Sequence, residues 1–155
     1  MTELPIRARG VIAFVLAGSG EAARVLLLKR RKAPVGAWCP VSGRIEASEA
    51  AWQTALREIA EETGIRHGTL FSTGVVDSFY DASENTLEIM PVFLLMIPRE
   101  ETVILDESQS ESAWLDPDVA LERLTFAGHR SALATIRRDF IEHPPDPLRR
   151  IASGD

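Results

Sequence analysis

Apolar residues form two long runs within the first thirty residues of the chain. They cover residues 8–17 (ARGVIAFVLA) and residues 23–30 (ARVLLLKR), and a polar stretch at residues 18–21 (GSGE) separates them. Two apolar runs joined by a short turn containing glycine predict a β-hairpin. Both alternating sets of side chains are apolar between Val11 and Leu16, which is typical of a strand covered on both faces. The pattern therefore predicts a layered fold with helices on each side of a sheet.

A loop and then a helix are predicted to follow the hairpin. Residues 31–47 contain two prolines and two glycines, so this segment is predicted to be mostly loop. Apolar positions then recur with helical spacing from Ser48, the predicted N-cap, to Thr63. Gly64 stands where a left-handed C-terminal cap is expected.

Three more strands are predicted in the second half of the chain. Two long runs lie near residues 69–80 and 86–97, and a short strand is predicted around Ser112–Leu115. Pro91 lies inside the second long run. Because proline cannot donate to a strand ladder, it predicts either an edge strand or a bulge there.

Helices complete the predicted architecture. Asp116-Pro117 is typical of a helix start, and a final helix is predicted from roughly Ala127 to Glu142. Residues 144–155 begin with a proline-rich stretch and are predicted to be a loose C-terminal tail. The predicted fold class is α/β, with one domain over residues 1–155.

Composition and charge narrow the classes of function. The chain has 155 residues, of which 23 are acidic and 17 are basic, giving a formal net charge of −6. So acidic a protein is not expected to bind duplex nucleic acid by neutralising its phosphates. No apolar run approaches 18 residues and the N-terminus has no signal-like apolar core, so we expect no membrane partner and a cytoplasmic location. Cys39 is the sole cysteine, which excludes an internal disulfide.

Three glutamates on the predicted helix are the strongest candidates for chemistry. Glu58, Glu61 and Glu62 have the spacing i, i+3 and i+4, which places them on adjacent positions of one helix face. Like charges at these spacings repel and weaken an isolated helix. Carboxylates grouped on one turn are hard oxygen ligands suited to magnesium or manganese. By themselves, however, they also fit a solvated acidic helix face.

The surrounding sequence distinguishes these two interpretations. Residues 43–65 (GRIEASEAAWQTALREIAEETGI) match the pattern G-x5-E-x7-R-E-U-x-E-E-x-G-U, in which U is a bulky aliphatic residue. The matching positions are Gly43, Glu49, Arg57, Glu58, Ile59, Glu61, Glu62, Gly64 and Ile65. This pattern is the signature of the Nudix hydrolases, and the sequence resembles that superfamily. The resemblance implies a Nudix-type α/β/α sandwich around a mixed β-sheet.

The resemblance also implies a reaction and a set of residues. The reaction is hydrolysis of a phosphoanhydride bond in a phosphorylated small molecule, with Mg²⁺ or Mn²⁺ as cofactor. Glu58 and Glu62 are the implied principal metal ligands, Glu61 is a third, and the backbone carbonyl of Gly43 is a further ligand. Glu49 and Arg57 are implied to support them by holding carboxylates in their working rotamers.

A finer resemblance concerns the substrate. Residues 37–46 resemble the W-x3-[ST]-G-x-x-E segment of dihydroneopterin triphosphate pyrophosphatases, although Ser42-Gly43 replaces the Gly-Gly pair of many Nudix proteins. In that subgroup an acidic residue before a tryptophan supplies a distal metal ligand. The run 105–108 (LDES) followed by Trp114 fits this arrangement, and it favours Glu107 over Glu111 as that catalytic carboxylate. The implied substrate is a (deoxy)nucleoside or pterin triphosphate, cleaved to a monophosphate and pyrophosphate.

Other residues are candidates for substrate contact, each with a simpler alternative. Arg30, Arg44 and Trp38 are the predicted substrate-binding residues, although Trp38 also fits a role in the core. Trp52 and Trp114 are predicted core residues, and Cys39 has no evident base partner that would make it a nucleophile. Candidate lining residues for a base pocket are Phe79, Tyr80, Phe126 and His129.

Alternative functions stay open at this point. Within the enzyme class they are hydrolysis of dinucleoside polyphosphates, ADP-ribose or nucleotide sugars. Outside it, a Nudix domain that only binds a nucleotide is the alternative, although such domains usually lose carboxylates that this chain retains. A homodimer is compatible with all of these functions.

Overall fold

A computed structural model describes residues 1–154 of the chain, and the side chains of residues 1–152. The strands are β1 (Ile6–Arg7), β2 (Gly10–Ala17), β3 (Arg24–Arg30), β4 (Trp38–Cys39), β5 (Val41–Arg44), β6 (Gly68–Asp81), β7 (Thr86–Ile97), β8 (Gln109–Leu115) and β9 (Arg150–Gly154). The helices are α1 (Ala51–Thr63), α2 (Pro117–Arg123) and α3 (Ala127–Ile136). All strands belong to one mixed sheet, whose main path runs β4-β3-β2-β7-β6-β9.

Strand β2 lies at the centre of the molecule, and every one of its residues is buried. One set of its side chains packs with residues of α2 and α3 in one apolar cluster. The alternate set packs with residues of α1 in a second cluster on the other side of the sheet. Helices therefore cover both faces of the mixed sheet, and the predicted α/β/α sandwich is confirmed.

The predicted hairpin of β2 and β3 forms, but it is short. The two strands pair only at Leu16 with Val25 and at Ala17 with Arg24. Beyond these positions β2 pairs with β5 along one edge and with β7, in parallel, along the other. Strand β3 separates to pair with β4 and β8. This divergence opens the sheet at the end of the strands where β5 meets α1.

Pro91 occupies an interior strand at a place where its missing N–H costs no ladder bond. Strand β7 lies between β2 and β6, so the edge-strand alternative is wrong. A bulge is present, but it lies on the neighbouring strand β6 rather than on β7: the register between them shifts between Ser72 and Val76, and Val76 is the partner of Pro91. Pairing between β7 and β2 begins only at Val92. Gly74, inside the bulge, has a positive φ of 75° that glycine adopts without strain.

Helix α1 begins three residues later than Ser48, so the predicted N-cap is wrong. Ser48 has a positive φ of 66°, and Ala50 occupies the cap position. Gln53 Oε1 accepts a hydrogen bond from the Ala50 backbone N–H at 2.8 Å, which satisfies one donor at the helix start. The C-terminal cap at Gly64, with φ of 79°, is as predicted.

The remaining elements differ from the sequence patterns at their ends. The predicted loop 31–47 contains the short strands β4 and β5, and β8 begins at Gln109, before the predicted short strand. Asp116 caps α2 as predicted by accepting from the Asp118 backbone N–H, and the final helix ends in a π-helical turn at Arg137–Ile141. Within residues 1–154, no helix has the length and apolar character needed to cross a membrane.

The C-terminal segment is not a loose tail over the part that the structure describes. A 3₁₀ turn at Pro147–Arg149 leads into β9, which pairs antiparallel with the start of β6. Ala152 packs against the apolar cluster beneath α1, and Arg149 Nη1 donates to the Thr73 carbonyl at 2.8 Å. The open edge of β6 therefore orders a segment whose own sequence carries little periodicity. Asp155 lies outside the described residues.

Candidate active site

The site begins where α1 crosses the end of β5. A Cβ atom on Gly43 would lie only 2.2 Å from the Glu58 side-chain Cδ, so the glycine leaves the space that this carboxylate occupies. The Glu58 side chain is 15% exposed. A glycine is thus required at position 43 for a steric reason. The sequence-based prediction considered only the Gly43 carbonyl, as an implied metal ligand, and did not include this reason.

Arg57 holds together three glutamates of the signature at residues 43–65. Its Nε and Nη2 atoms donate to the two Glu49 carboxylate oxygens at 2.8 and 3.0 Å, which makes a bidentate pair. Its Nη1 atom donates to Glu58 at 2.8 Å and to Glu61 at 3.3 Å. The arginine and a hydroxyl donor, Thr54 Oγ1 at 2.6 Å, hold the pKa of Glu49 down at about 2. Glu49 and Arg57 therefore form an ion pair that restrains both side chains.

Glu62 is the most deeply buried carboxylate of the group, with 5% of its surface exposed. Its Oε1 accepts a hydrogen bond at 2.9 Å from Nε2 of Gln109, which is equally buried. Its Oε2 is buried and has no hydrogen-bond partner among the described residues. Burial, together with the nearby Glu58 and Asp106 carboxylates, raises the pKa of Glu62 to about 8. Among the described residues, no cationic side chain forms an ion pair with Glu62 itself.

A cavity of about 200 Å³ lies in front of these carboxylates. It is lined by Arg30, Lys32, Ser42, Glu58, Glu62, Asp106, Ser108 and Gln109. Glu61 is outside this set, and its side chain is 55% exposed. Glu107 is also exposed and is not among the lining residues, whereas its neighbour Asp106 is. Glu111 pairs with Lys29 Nζ at 3.1 Å on the neighbouring strand.

A second cavity, of about 340 Å³, adjoins the first and shares Arg30 and Ser42 with it. Its other lining residues are Arg9, Gly10, Gly43, Arg44, Phe79, Asp81, Glu88 and Met90. Arg30 therefore lies between the two cavities, and its Nε is buried without a hydrogen-bond partner among the described residues. An unpaired buried guanidinium donor at this position is suited to an anionic ligand.

Several residues singled out from the sequence lie away from these cavities. Trp38 packs partly against the core, and the Arg123 guanidinium lies 5.3 Å from its ring centroid. Trp52 and Trp114 pack against the cluster beneath α1, as predicted for core residues. Tyr80 is exposed and donates to Asn85. Burial raises the pKa of the Cys39 thiol to about 11, which disfavours the reactive thiolate.

The donors facing the first cavity fit a divalent cation. Oxygen ligands are what Mg²⁺ and Mn²⁺ prefer, and Glu62 offers a buried carboxylate oxygen that nothing else satisfies. Within the described residues, the carboxylates whose oxygens all lie within 4.8 Å of one another are a different group, Asp81, Glu84 and Glu88. There, however, Arg9 forms ion pairs with both Glu84 and Glu88, so a cation is already in place.

Sequence reasoning missed two residues of the site, Gln109 and Asp106. Gln109 reaches Glu62 because β8 pairs with β3, opposite Arg30. No local spacing in the sequence signals this long-range register. Asp106 lies in the run 105–108, in which the sequence-based prediction favoured Glu107. Its Oδ1 accepts hydrogen bonds from the Ser108 backbone N–H and hydroxyl in a tight turn. An Asp two residues before a serine is a signal for such a turn.

Comparisons with known proteins show which family this chain resembles. The model of the NUDIX domain family matches residues 6–136. An octanoyltransferase of Myxococcus xanthus is 35% identical over 138 residues, and the match covers 84% of this chain and 37% of that protein. This chain spans 37% to 42% of the length of the curated relatives it matches.

Two solved structures are also similar. The E. coli dihydroneopterin triphosphate pyrophosphohydrolase is 26% identical with a TM-score of 0.68, and the match covers 79% of this chain and 91% of that chain. A C. elegans Ap4A hydrolase binary complex is 19% identical with a TM-score of 0.71, covering 83% and 94% of the two chains. At 19% identity the second likeness bears on the fold alone.

Proposed function

Because this chain belongs to the NUDIX family of hydrolases, we propose that it is a metal-dependent pyrophosphohydrolase of a (deoxy)nucleoside or pterin triphosphate. The proposed products are the monophosphate and pyrophosphate. The observation that carries the proposal is the buried, unsatisfied oxygen of Glu62 beside Glu58, facing a cavity that also contains Arg30 and Lys32. Anionic and cationic groups thus face each other across a space suited to phosphates and their counter-ion.

Each residue has a proposed role in this reaction. Glu58 and Glu62 hold the divalent cation, with Glu61, the Gly43 carbonyl and a distal carboxylate as further ligands. When bound, Mg²⁺ or Mn²⁺ neutralises phosphate oxygens and makes a water molecule more acidic. Arg57 fixes the rotamers of Glu49 and Glu58 through the hydrogen bonds described above. Arg30, whose Nε is buried and unpaired while its Nη2 donates to the Ala33 carbonyl, faces the phosphates, where it stabilises developing negative charge.

The two adjoining cavities support the proposed substrate class. The first is polar and small, about 200 Å³, which suits a phosphate chain. The second is larger, about 340 Å³, and Phe79 and Met90 give it an apolar surface that suits a ring. Arg30 links the two, so a molecule with a ring at one end and phosphates at the other fits both. Similarity to the E. coli pyrophosphohydrolase supports the same class. Arg44 and Trp38, the other predicted substrate contacts, lie at the second cavity and beside the sheet edge, respectively.

Product analysis in ¹⁸O-labelled water tests this proposal. The purified protein is incubated in the presence of Mg²⁺ with one substrate at a time. The substrates are nucleoside triphosphates, dihydroneopterin triphosphate, a dinucleoside tetraphosphate and ADP-ribose. We expect pyrophosphate as the leaving group from the triphosphates, in amounts equal to the monophosphate. The position of ¹⁸O in the products identifies the phosphorus atom that water attacks.

Matched variants assign the activity to this site. Glu62→Gln is expected to lower the rate at least ~100-fold, since a charged ligand is lost. Glu122→Gln, an exposed carboxylate on α2, serves as the control and should match the wild type. Release of orthophosphate with a nucleoside diphosphate would contradict the proposed cleavage. A strong preference for the dinucleoside tetraphosphate or ADP-ribose would assign the enzyme to the alternative substrate class, and binding without hydrolysis would indicate a nucleotide-binding domain.

A further inference from the structure

Asp77 carries a carboxylate that no side chain or backbone donor satisfies within residues 1–154. It lies on β6 and is half-buried, yet it forms no hydrogen bond or ion pair with the described residues. A Cβ atom on Gly128 would lie only 2.0 Å from Asp77 Oδ1, so the carboxylate packs directly against the first turn of α3. The partial positive charge of a helix N-terminus favours this approach, but no amide of that turn donates to Asp77.

His129 places a second unsatisfied polar group beside Asp77. Its Nδ1 is buried and has no hydrogen-bond partner among the described residues. Both Asp77 and Arg30 are close enough to influence its titration, and burial holds the pKa of the imidazole below its usual value. Phe126 packs edge-on against the imidazole with ring centroids 5.4 Å apart, while 40% of its own surface is exposed.

These groups adjoin the larger cavity rather than an unrelated part of the surface. Asp77 is the register partner of Met90, and Phe79, two residues further along the same face of β6, is the partner of Glu88. Met90, Phe79 and Glu88 all line that cavity, and so does Arg30, the cation that influences His129. Because alternate residues of a strand point to the same face, Asp77 borders the cavity next to Phe79.

We propose that Asp77 is a specificity-determining residue that recognises the ring of the substrate through two adjacent N–H donors. The inference rests on the proposed function and specifies the ring of the substrate. That ring has an amide N–H beside an exocyclic amino group, as guanine and pterin do. An ionised carboxylate only accepts hydrogen bonds, and its two oxygens match two donors side by side. His129 Nδ1 then contacts the same ring, and the exposed faces of Phe79 and Phe126 supply apolar contact.

The same arrangement rejects adenine. The corresponding edge of adenine presents a ring nitrogen acceptor, which would face the negative Asp77 oxygen without a proton between them. A site that loses the hydrogen bonds it was built to make discriminates strongly against the wrong ring. A bidentate contact of this type corresponds to about 10- to 100-fold in preference.

A graded substrate series tests the inference. We expect kcat/KM to fall in the order GTP, ITP, ATP, because ITP lacks the 2-amino group, and ATP lacks both the 2-amino group and the N1–H, its amino group being at C6 instead. The ratio of GTP to ATP is expected to be at least about tenfold in the wild type. In Asp77→Asn it should approach one, with the change mainly in KM. Ser78→Asn, an exposed position on the opposite face of β6, is the matched control and should retain the wild-type ratio.

Further measurements distinguish a guanine ring from a pterin ring, and failure of this inference from failure of the proposed function. Dihydroneopterin triphosphate presents the same donor pair on a pterin, so its rate relative to GTP identifies which ring the pocket prefers. Calorimetric binding of GMP and AMP gives a readout independent of turnover, and Asp77→Asn should weaken GMP binding selectively. If GTP and ATP are hydrolysed equally by the wild type, the inference fails while the proposed function holds. If no triphosphate is hydrolysed, the proposed function itself fails.

Discussion

Two carboxylates that are neighbours in the chain, Glu61 and Glu62, have opposite surroundings. Glu62 is buried, and its free oxygen faces the cavity, whereas the Glu61 side chain is 55% exposed and contacts Arg57 at 3.3 Å. A charged group needs a compensating charge most where water is excluded. The two glutamates therefore differ in their need for a compensating charge, because Glu62 is buried and Glu61 is exposed.

Position relative to the cavity distinguishes the candidates for the distal carboxylate. Asp106 and Glu107, the sequence-based prediction, are both exposed, but only Asp106 lines the phosphate-sized cavity. We expect Asp106→Asn to lower kcat by ~10- to 100-fold, because a carboxylate next to the metal site orients ligands or takes up a proton. Glu107→Gln is the matched control and should stay within about threefold of the wild type. Steady-state rates at saturating Mg²⁺ check both, and the opposite ranking would support Glu107 and require the loop to move.

The glutamates of the signature at residues 43–65 were predictable from spacing, whereas their partners from other elements were not. Glu58, Glu61 and Glu62 share a helix, so the period of the helix alone places them together. Gln109 comes from a strand 47 residues away, and it reaches Glu62 only through the pairing of β8 with β3. A buried glutamine has no period or spacing of its own, so its role emerges only from the tertiary structure.

The loop before α1 is attached to the helix mainly through the Glu49 carboxylate. Glu49 lies outside the helix and binds Arg57 two turns inside it through a bidentate pair, while Thr54 donates to the same carboxylate. The helix start at Ala51 leaves Glu49 able to fold back in this way. The loop and α1 therefore move as one element, which holds Glu58 over Gly43.

This interaction gives the stability a specific pH dependence. The pKa of Glu49 is about 2 in the folded protein against 4.5 for an ordinary glutamate, so its contribution is fully present above pH 4.5 and is lost as the pH falls toward 2. Glu49→Gln is expected to lower the melting temperature by a few degrees at pH 7 and by less than half of that difference at pH 3. Thermal unfolding followed by circular dichroism checks this.

The neighbouring Glu46 provides the control for that experiment. It lies 3.6 Å from the same arginine, but its side chain is 67% exposed. Glu46→Gln should leave the melting temperature nearly unchanged at both pH values. If Glu49→Gln lowers the melting temperature by the same amount at pH 7 and at pH 3, the charge of Glu49 contributes nothing to stability beyond the packing of its side chain.

Long elements were predictable and short ones were not. The strand predicted at 86–97 and the caps at Gly64 and Asp116 agree with the structure, since each depends on a local pattern. Strands β4 and β9 contain two and five residues, too few to show a reliable alternation. They form because the edges of β3 and β6 offer unpaired backbone groups.

The molecule as a whole is acidic, with a net charge of −6, and its proposed metal site adds to the local negative charge. Binding of a divalent cation relieves this repulsion and stabilises only the folded state. At a concentration about 100 times the dissociation constant, a ligand adds about 2.7 kcal/mol to stability. For a chain of this size that corresponds to a rise in melting temperature of about 5–10 °C.

A thermal-shift experiment with Mn²⁺ locates that binding site. We expect the rise in the wild type and its loss in Glu62→Gln. Glu84→Gln should keep the rise, because that carboxylate belongs to the second acidic group, where Arg9 already provides the positive charge. Loss of the rise in Glu84→Gln, with retention in Glu62→Gln, would place the metal at the Arg9 group instead. Chelation with EDTA should reverse the rise in each responsive protein.

The parallel pairing of β2 with β7 has a consequence for how the chain folds during synthesis. Residues 12–17 pair with residues 92–97, so the central ladder cannot close until some eighty further residues have left the ribosome. Contacts this distant in sequence form slowly, since a long loop must close before they contribute. Meanwhile the segment GVIAFVLA, apolar on both faces, can pair with β3 and β5 along one edge, but its other edge stays open and prone to aggregate. The strand that later forms the centre of the core is therefore the part of the nascent chain most in need of a chaperone.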